Sequence, residues 1–505
     1  MNGEAVTRSV MIERYSGMFF RWRERSVRRS RIGPPRVTIV QWGLAAVSVA
    51  IAGFSYEVIS YVWLASMTQV LVLLSFISLV IVTREVFRTG SIGKFCLVAG
   101  VFVFYWIDTF ALSLQRYPFA VPEGFPYSAT QFDQSLIQQA LVYVSVFQFM
   151  LLVGHSLRPR LDRPLKFFAE RLDSISFDRT LVAFLLIMCS FTPLLVYYDF
   201  DIVKIVIALL PSRSGTDFES PEPGLAQHVA LFGIYGASLG FVYALKAATW
   251  RRLWWLALGV IAALPFVLGG TRHIWLYISL PSVLIVLRGF KGLMSHKRVV
   301  ALTTIALVVL VIAQAQFVYR SVGWKGVSDV PTEELSRVNT NGQLTALLYA
   351  EHLVPGQHSY FEELAEPYFL IHWVPRQVWP NKPVMESWTY YNDSYVQGAN
   401  YNVTPSVIGQ FHLNWGLPGV MFIGAWLGFL TMTADRLLLM LDSSRQRAMF
   451  VVVGMFYAFI ISSFRFYSPI YFSYFCFGLL AMFLLTRRRA LAPAATSFRA
   501  QQLPA

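Results

Sequence analysis

A chain of 505 residues that is 56% hydrophobic and 14% charged falls well short of the roughly 25% charge of a soluble domain. One aqueous core cannot hide that much apolar surface, so the bilayer must be its solvent. The net charge of +14 invites a nucleic-acid reading, which the placement of the basic residues decides against.

Residues 1–36 form a basic arm with nine arginines and no lysine. The apolar run behind it reads as a retained signal-anchor rather than a cleaved leader. Twelve mainly apolar runs follow, at 38–56, 61–83, 95–114, 136–156, 180–198, 226–247, 253–270, 273–288, 299–318, 417–434, 448–464 and 469–486. A helix needs about 20 such residues to cross a hydrocarbon layer of roughly 30 Å, and open backbone cannot face lipid. The expected fold is therefore an all-α polytopic membrane protein with twelve transmembrane helices. Helices 1–9 occupy 37–318, a large external loop 319–416, helices 10–12 417–486 and a tail 487–505. Cys96, Cys189 and Cys476 fall inside apolar runs and read as small core residues.

With the arm inside, the arm, the tail and the connections expected inside hold 32 of the 42 basic residues. That alternation follows the positive-inside rule and puts both ends in the cytoplasm. The basic residues face anionic headgroups, and no nucleic-acid motif accompanies them. Ten basic residues are left for the outside, among them Arg116, Arg213, Arg272, Arg337, Arg376, Lys382 and Arg465. Arg272 lies in the turn Leu-Gly-Gly-Thr-Arg-His and Arg465 in Ser-Ser-Phe-Arg-Phe-Tyr-Ser-Pro. A charge at a tight membrane-boundary turn either snorkels to the headgroups or faces a cavity. Arginines converging on an external cavity would suit a phosphate-bearing ligand, because guanidinium pairs with phosphate oxygens two at a time.

The loop 319–416 is long enough to be functional in its own right. Its stretches Gln343 to Val354 and Pro367 to Val374 are apolar but too short to span, and read as interfacial or re-entrant helices. Trp379, Trp388, Tyr390, Tyr391 and Tyr401 crowd the same loop. Flat rings suit the apolar faces of sugars, and equally suit anchoring at the headgroups.

The stretch Trp373-Val374-Pro375-Arg376-Gln377-Val378-Trp379-Pro380-Asn381-Lys382-Pro383 resembles an element of bacterial oligosaccharide repeat-unit polymerases, the Wzy-type O-antigen and exopolysaccharide polymerases. The stretch from Thr404-Pro405-Ser406 through Gly409 to Asn414-Trp415-Gly416-Leu417-Pro418-Gly419 is similar to that family's entry into the next helix. The turn Gly270-Thr271-Arg272 fits its Gly-x-Arg turn. Gln410 stands where many relatives carry an acidic residue.

The resemblance implies a GT-C-like membrane glycosyltransferase acting at the periplasmic face of a bacterial inner membrane. It implies two substrates on undecaprenyl diphosphate, a growing polymer and a single repeat unit, with no cofactor and no metal. It also implies a chain-length-regulating co-polymerase as a partner, beside the membrane lipids. Arg272 and Arg376 would stabilise the departing diphosphate, with Arg213, Arg465 and Lys382 as further ligands. His412 is the first choice as base, since imidazole titrates near neutral pH; it also reads as a capping or packing residue. His273, His372 and Glu366 are weaker candidates, and Asp108 is either a paired structural carboxylate or part of the cavity. The alternatives are an O-antigen ligase that passes the glycan to lipid A-core, and a glycan transporter. The element at Trp379 to Pro383 argues against the ligase, and the lack of a two-fold hydropathy repeat argues against the transporter.

Overall fold

A computed structural model of the chain describes residues 36–54, 61–89, 92–114, 133–157, 179–203, 225–245, 247, 249–268, 272–289, 343–364, 366–371, 374, 378–395, 404–441 and 447–485. Every regular element among them is helical. In chain order these are α1 (Arg36–Phe54), α2 (Tyr61–Thr89) and α3 (Gly93–Val101, a π-helical turn Phe102–Trp106, then Ile107–Leu114). Next come α4 (Gln134–Ser156), α5 (Arg179–Tyr197), α6 (Leu225–Ala244), α7 (Thr249–Leu268) and α8 (Arg272–Gly289). The large loop holds α9 (Gln343–Leu353), α10 (Glu366–Ile371) and α11 (Glu386–Tyr395). The chain then runs through α12 (Val407–Met440), α13 (Arg447–Ser463) and α14 (Pro469–Leu485).

Each apolar run among the described residues forms a helix. The expected span 299–318, the basic arm and the tail lie outside them. Residues 62–86, 93–110, 134–156 and 407–440 form helices long and apolar enough to cross a membrane. Large apolar side chains on the outer surface, such as Val62, Trp63, Leu73, Val80 and Leu253, are more than half exposed. An exposed belt of that kind is a surface for lipid, and the protein is a membrane-embedded helical bundle. Hydroxyls within it turn back on their own helices: Thr68 donates to the Leu64 carbonyl at 2.8 Å and Thr431 to that of Leu427 at 2.7 Å.

Bundle packing relies on small residues. Helices α4 and α12 lie so close that a Cβ on Gly154 would overlap the Ala425 carbonyl, and one on Gly428 the Leu151 carbonyl. Gly424, one turn before Gly428, faces the Phe147 carbonyl. With no hydrophobic force between helices in lipid, this backbone approach supplies the dispersion contact that joins them. A second group packs α6 against α5, α7 and α8, and α8 against α13.

One polar junction ties four helices at the end of the bundle where α4 and α12 finish. The Asp435 carboxylate accepts from the Gly93 amide at 3.0 Å, from the Tyr457 hydroxyl at 2.5 Å and from His155 Nε2 at 3.0 Å. Arg84 and Arg88 in the last turns of α2 and Lys94 in the first turn of α3 belong to the connection between those helices that starts beside Gly93.

The large loop differs from expectation in three ways. Nine of the eleven residues of α9 are buried, so it is set into the protein rather than laid on a membrane surface, which leaves the re-entrant reading open. Helix α11 is an unexpected third element. Helix α12 starts at Val407 rather than at 417, with a break at Gly416 (φ 62°, ψ −143°) where the apolar run begins.

Candidate functional site

The site is organised by the first segment of α12, residues 407–415. Ser406 starts it, its hydroxyl accepting the Gly409 amide at 3.0 Å, as an N-cap does. Gly416 and Pro418 end it. Pro418 has no amide hydrogen to offer Asn414, and the positive φ of Gly416 turns the chain away. The orphaned carbonyls of Leu413 and Asn414 accept instead from the amides of Phe361 (3.1 Å) and Glu362 (3.0 Å). The segment after α9 is thereby strapped across the break.

Gln410 and His412 lie two residues apart on this segment and project to opposite faces. On the first face, the buried Gln410 amide donates to the Tyr467 carbonyl at 3.2 Å and accepts from the Tyr467 amide at 3.1 Å. A carboxamide offers that donor and acceptor together without needing to bind a proton, as a carboxyl would. Tyr105, in the π-helical turn, donates its hydroxyl to the Phe464 carbonyl at 3.0 Å. The two side chains clamp the turn on either side of Arg465.

Arg465 is half-buried, and its Nε is buried with no hydrogen-bond partner among the described residues. The ion pairs among those residues are Lys94 with Glu85 and His155 with Asp435, both at 3.0 Å, so no described carboxylate neutralises Arg465. Its charge reaches Tyr471. The ring of Tyr471 lies 4.8 Å from that of His273, whose Nε2 lies 3.1 Å from the Tyr474 hydroxyl. Arg272, the first residue of α8, and the turn of Arg465 are thus joined through neighbouring side chains. Helix α10 packs on α14 beside them. Trp388 of α11 sits 6.4 Å from Phe466, its indole N–H unpartnered among the described residues. Glu363 holds α11 in place by accepting the amides of Glu386 (2.9 Å) and Ser387 (3.0 Å).

On the second face, His412 is fully buried and its Nε2 lies 2.7 Å from the Val354 carbonyl. A carbonyl only accepts, so Nε2 carries the proton and Nδ1 the lone pair; Nδ1 has no partner among the described residues. The Tyr143 and Tyr360 rings lie 5.2 and 5.9 Å from the imidazole. Glu351 of α9 is buried nearby, and neither carboxyl oxygen has a hydrogen-bond partner there. Burial alone pushes its carboxyl well above the usual range, which favours the protonated, uncharged form. An unsatisfied buried polar group costs about 1–3 kcal/mol, which marks these atoms as candidates for a ligand.

Several sequence expectations change. His412 and Gln410 project to opposite faces of this segment, so His412 meets Val354 whereas the turn of Arg465 meets Gln410. Tyr391 is fully buried, donates to the Ala346 carbonyl at 3.2 Å and packs against Tyr349; its ring has no face to offer a glycan. The Lys382 ammonium donates to the Val374 carbonyl at 3.0 Å, a bond that braces the loop. Tyr390 packs against His358 and Phe361, and Trp379 is 41% exposed. Arg213, Arg376 and Tyr401 lie outside the described residues. Glu351 was missed because a single acid in an apolar helix carries no pattern; its neighbours in space come from elsewhere in the chain.

Comparison of the chain with family models, with curated proteins and with solved structures gives no match.

Proposed function

We propose that this protein polymerises oligosaccharide repeat units carried on undecaprenyl diphosphate, as a glycosyltransferase at the external face of a bacterial inner membrane. The observation that carries the reading is Arg465: a guanidinium without a described carboxylate, its turn clamped by Gln410 and Tyr105, beside the start of α8. The resemblance of the Trp373 to Pro383 and Thr404 to Gly419 stretches to repeat-unit polymerases points the same way.

In this reading the acceptor hydroxyl attacks the anomeric carbon of the donor chain. The bond from that carbon to the diphosphate breaks, and undecaprenyl diphosphate leaves with the electron pair. Negative charge grows on the leaving group, and Arg465, with Arg272 and Arg376, is assigned to stabilise it. The acceptor proton passes to water. His412 drops out of this step, since it faces the other side of α12.

Purified protein in proteoliposomes, supplied with lipid-linked repeat units and no sugar nucleotide, should make polymer. Arg465→Ala should slow it by about 10²-fold or more, the usual effect of losing one well-placed donor, and Arg465→Lys should restore part of the rate. Wild-type chain lengths from Arg465→Ala would refute the assignment.

A further inference from the structure

We propose that Glu351, His412 and Tyr143 form a subsite for a saccharide hydroxyl, on the face of α12 away from Arg465. The assignment of a saccharide rests on the polymerase reading; the subsite rests on geometry.

Leu347, Ala350, Glu351 and Val354 follow one another at the spacing of a single helix face. Ala350 touches α12 at Gly409, where an added Cβ would sit 3.1 Å from the Ala350 Cβ. Val354 receives the His412 N–H at 2.7 Å. Glu351 therefore faces the junction of α4 and α12, on the side that carries Tyr143. Both Glu351 oxygens and His412 Nδ1 are buried without partners among the described residues.

The donor set defines the ligand class. Nδ1 of His412 accepts. Glu351, kept protonated by burial, both donates and accepts. The Tyr143 hydroxyl accepts from Gln139 Nε2 at 2.9 Å, leaving its own proton to donate. A hydroxyl matches this mixture because it donates and accepts at once. A phosphate would find no cation among the described side chains of the cluster. The Tyr143 and Tyr360 rings supply flat apolar faces for sugar C–H groups. Tyr360, 38% exposed, links the cluster to the surface. A buried water could satisfy the same atoms and is the competing occupant.

The test uses the full chain in lipid nanodiscs and saturation-transfer-difference NMR. The probe is the source organism's own surface polysaccharide, hydrolysed to repeat-unit oligosaccharides. Wild type should transfer saturation to the sugar protons. Glu351→Leu should weaken binding about 10-fold, equivalent to about 1.4 kcal/mol. Tyr143→Phe, which removes one hydroxyl and leaves the ring in place, should also weaken it several-fold, and it guards against a Glu351 variant that fails to fold. No saturation in wild type, or equal saturation in wild type and Tyr143→Phe, would overturn the subsite and leave water as the occupant. Arg465→Ala separates the two ideas. Lost polymer with undiminished saturation supports both; undiminished polymer from Arg465→Ala refutes the role of Arg465, and wild-type protein that makes no polymer refutes the polymerase reading, while in either case the binding result still judges the subsite.

Discussion

Glu351 and Arg465 are both titratable side chains set among apolar neighbours, and burial acts on them in opposite ways. Arginine stays charged in any folded environment, so Arg465 must be used, paired or solvated. A carboxyl can shed its charge, and Glu351 does so. The consequence can be measured. The unfolded chain ionises Glu351 near 4.5 while the folded chain holds the proton, so folding binds more protons above that pH. The contribution of Glu351 is full below pH 4.5 and is lost as pH rises towards its raised folded value. Glu351→Gln removes the ionisation, so the variant should melt higher than wild type at pH 8 and show a flatter decline above pH 4.5. A series of thermal melts in detergent across that range checks this; parallel curves would show that Glu351 is ionised in the fold.

At the scale of elements, the break in α12 does the most. It frees two carbonyls, receives the strap after α9, and points Gln410 and His412 to separate neighbours. The break depends on Gly416, whose φ of 62° suits a residue without a Cβ, and an added Cβ would also meet the Tyr360 hydroxyl at 2.9 Å. Gly416→Ala should cost about 1–3 kcal/mol by straining that backbone. Limited proteolysis of the 354–364 strap reads the effect, with faster cleavage expected in the variant. Unchanged cleavage would mean that the strap does not depend on the break.

Across the whole molecule, the two ends of the bundle are built differently. One end gathers the clamped turn of Arg465, the start of α8 and the loop helices. The other is closed by Asp435, which joins α3, α4, α12 and α13 through three hydrogen bonds. Asp435→Leu strands a buried amide, hydroxyl and imidazole together and should cost about 3–5 kcal/mol, as removing one partner of a buried pair does. Asp435→Asn keeps a carbonyl oxygen for Gly93 and Tyr457 and should cost nearer 1 kcal/mol. Thermal unfolding of the solubilised protein ranks the two; equal loss would show that charge, not hydrogen bonding, holds the junction.

The sequence by itself determined the class of protein and the place of each described apolar helix, because hydropathy is a local, additive property and a helix satisfies its backbone within its own segment. It also marked Arg272, Arg465 and the stretch around Gln410 and His412 as unusual. Only the tertiary structure decided which of these meet. It brought the start of α8 beside the turn of Arg465, set His412 on the far face of α12, sealed Tyr391 in the core and brought Glu351 to Tyr143. Such pairings depend on helix rotation and close backbone approach, set by Gly154, Gly424 and Gly428 acting between segments far apart in the chain. No window of the sequence contains both partners of those contacts.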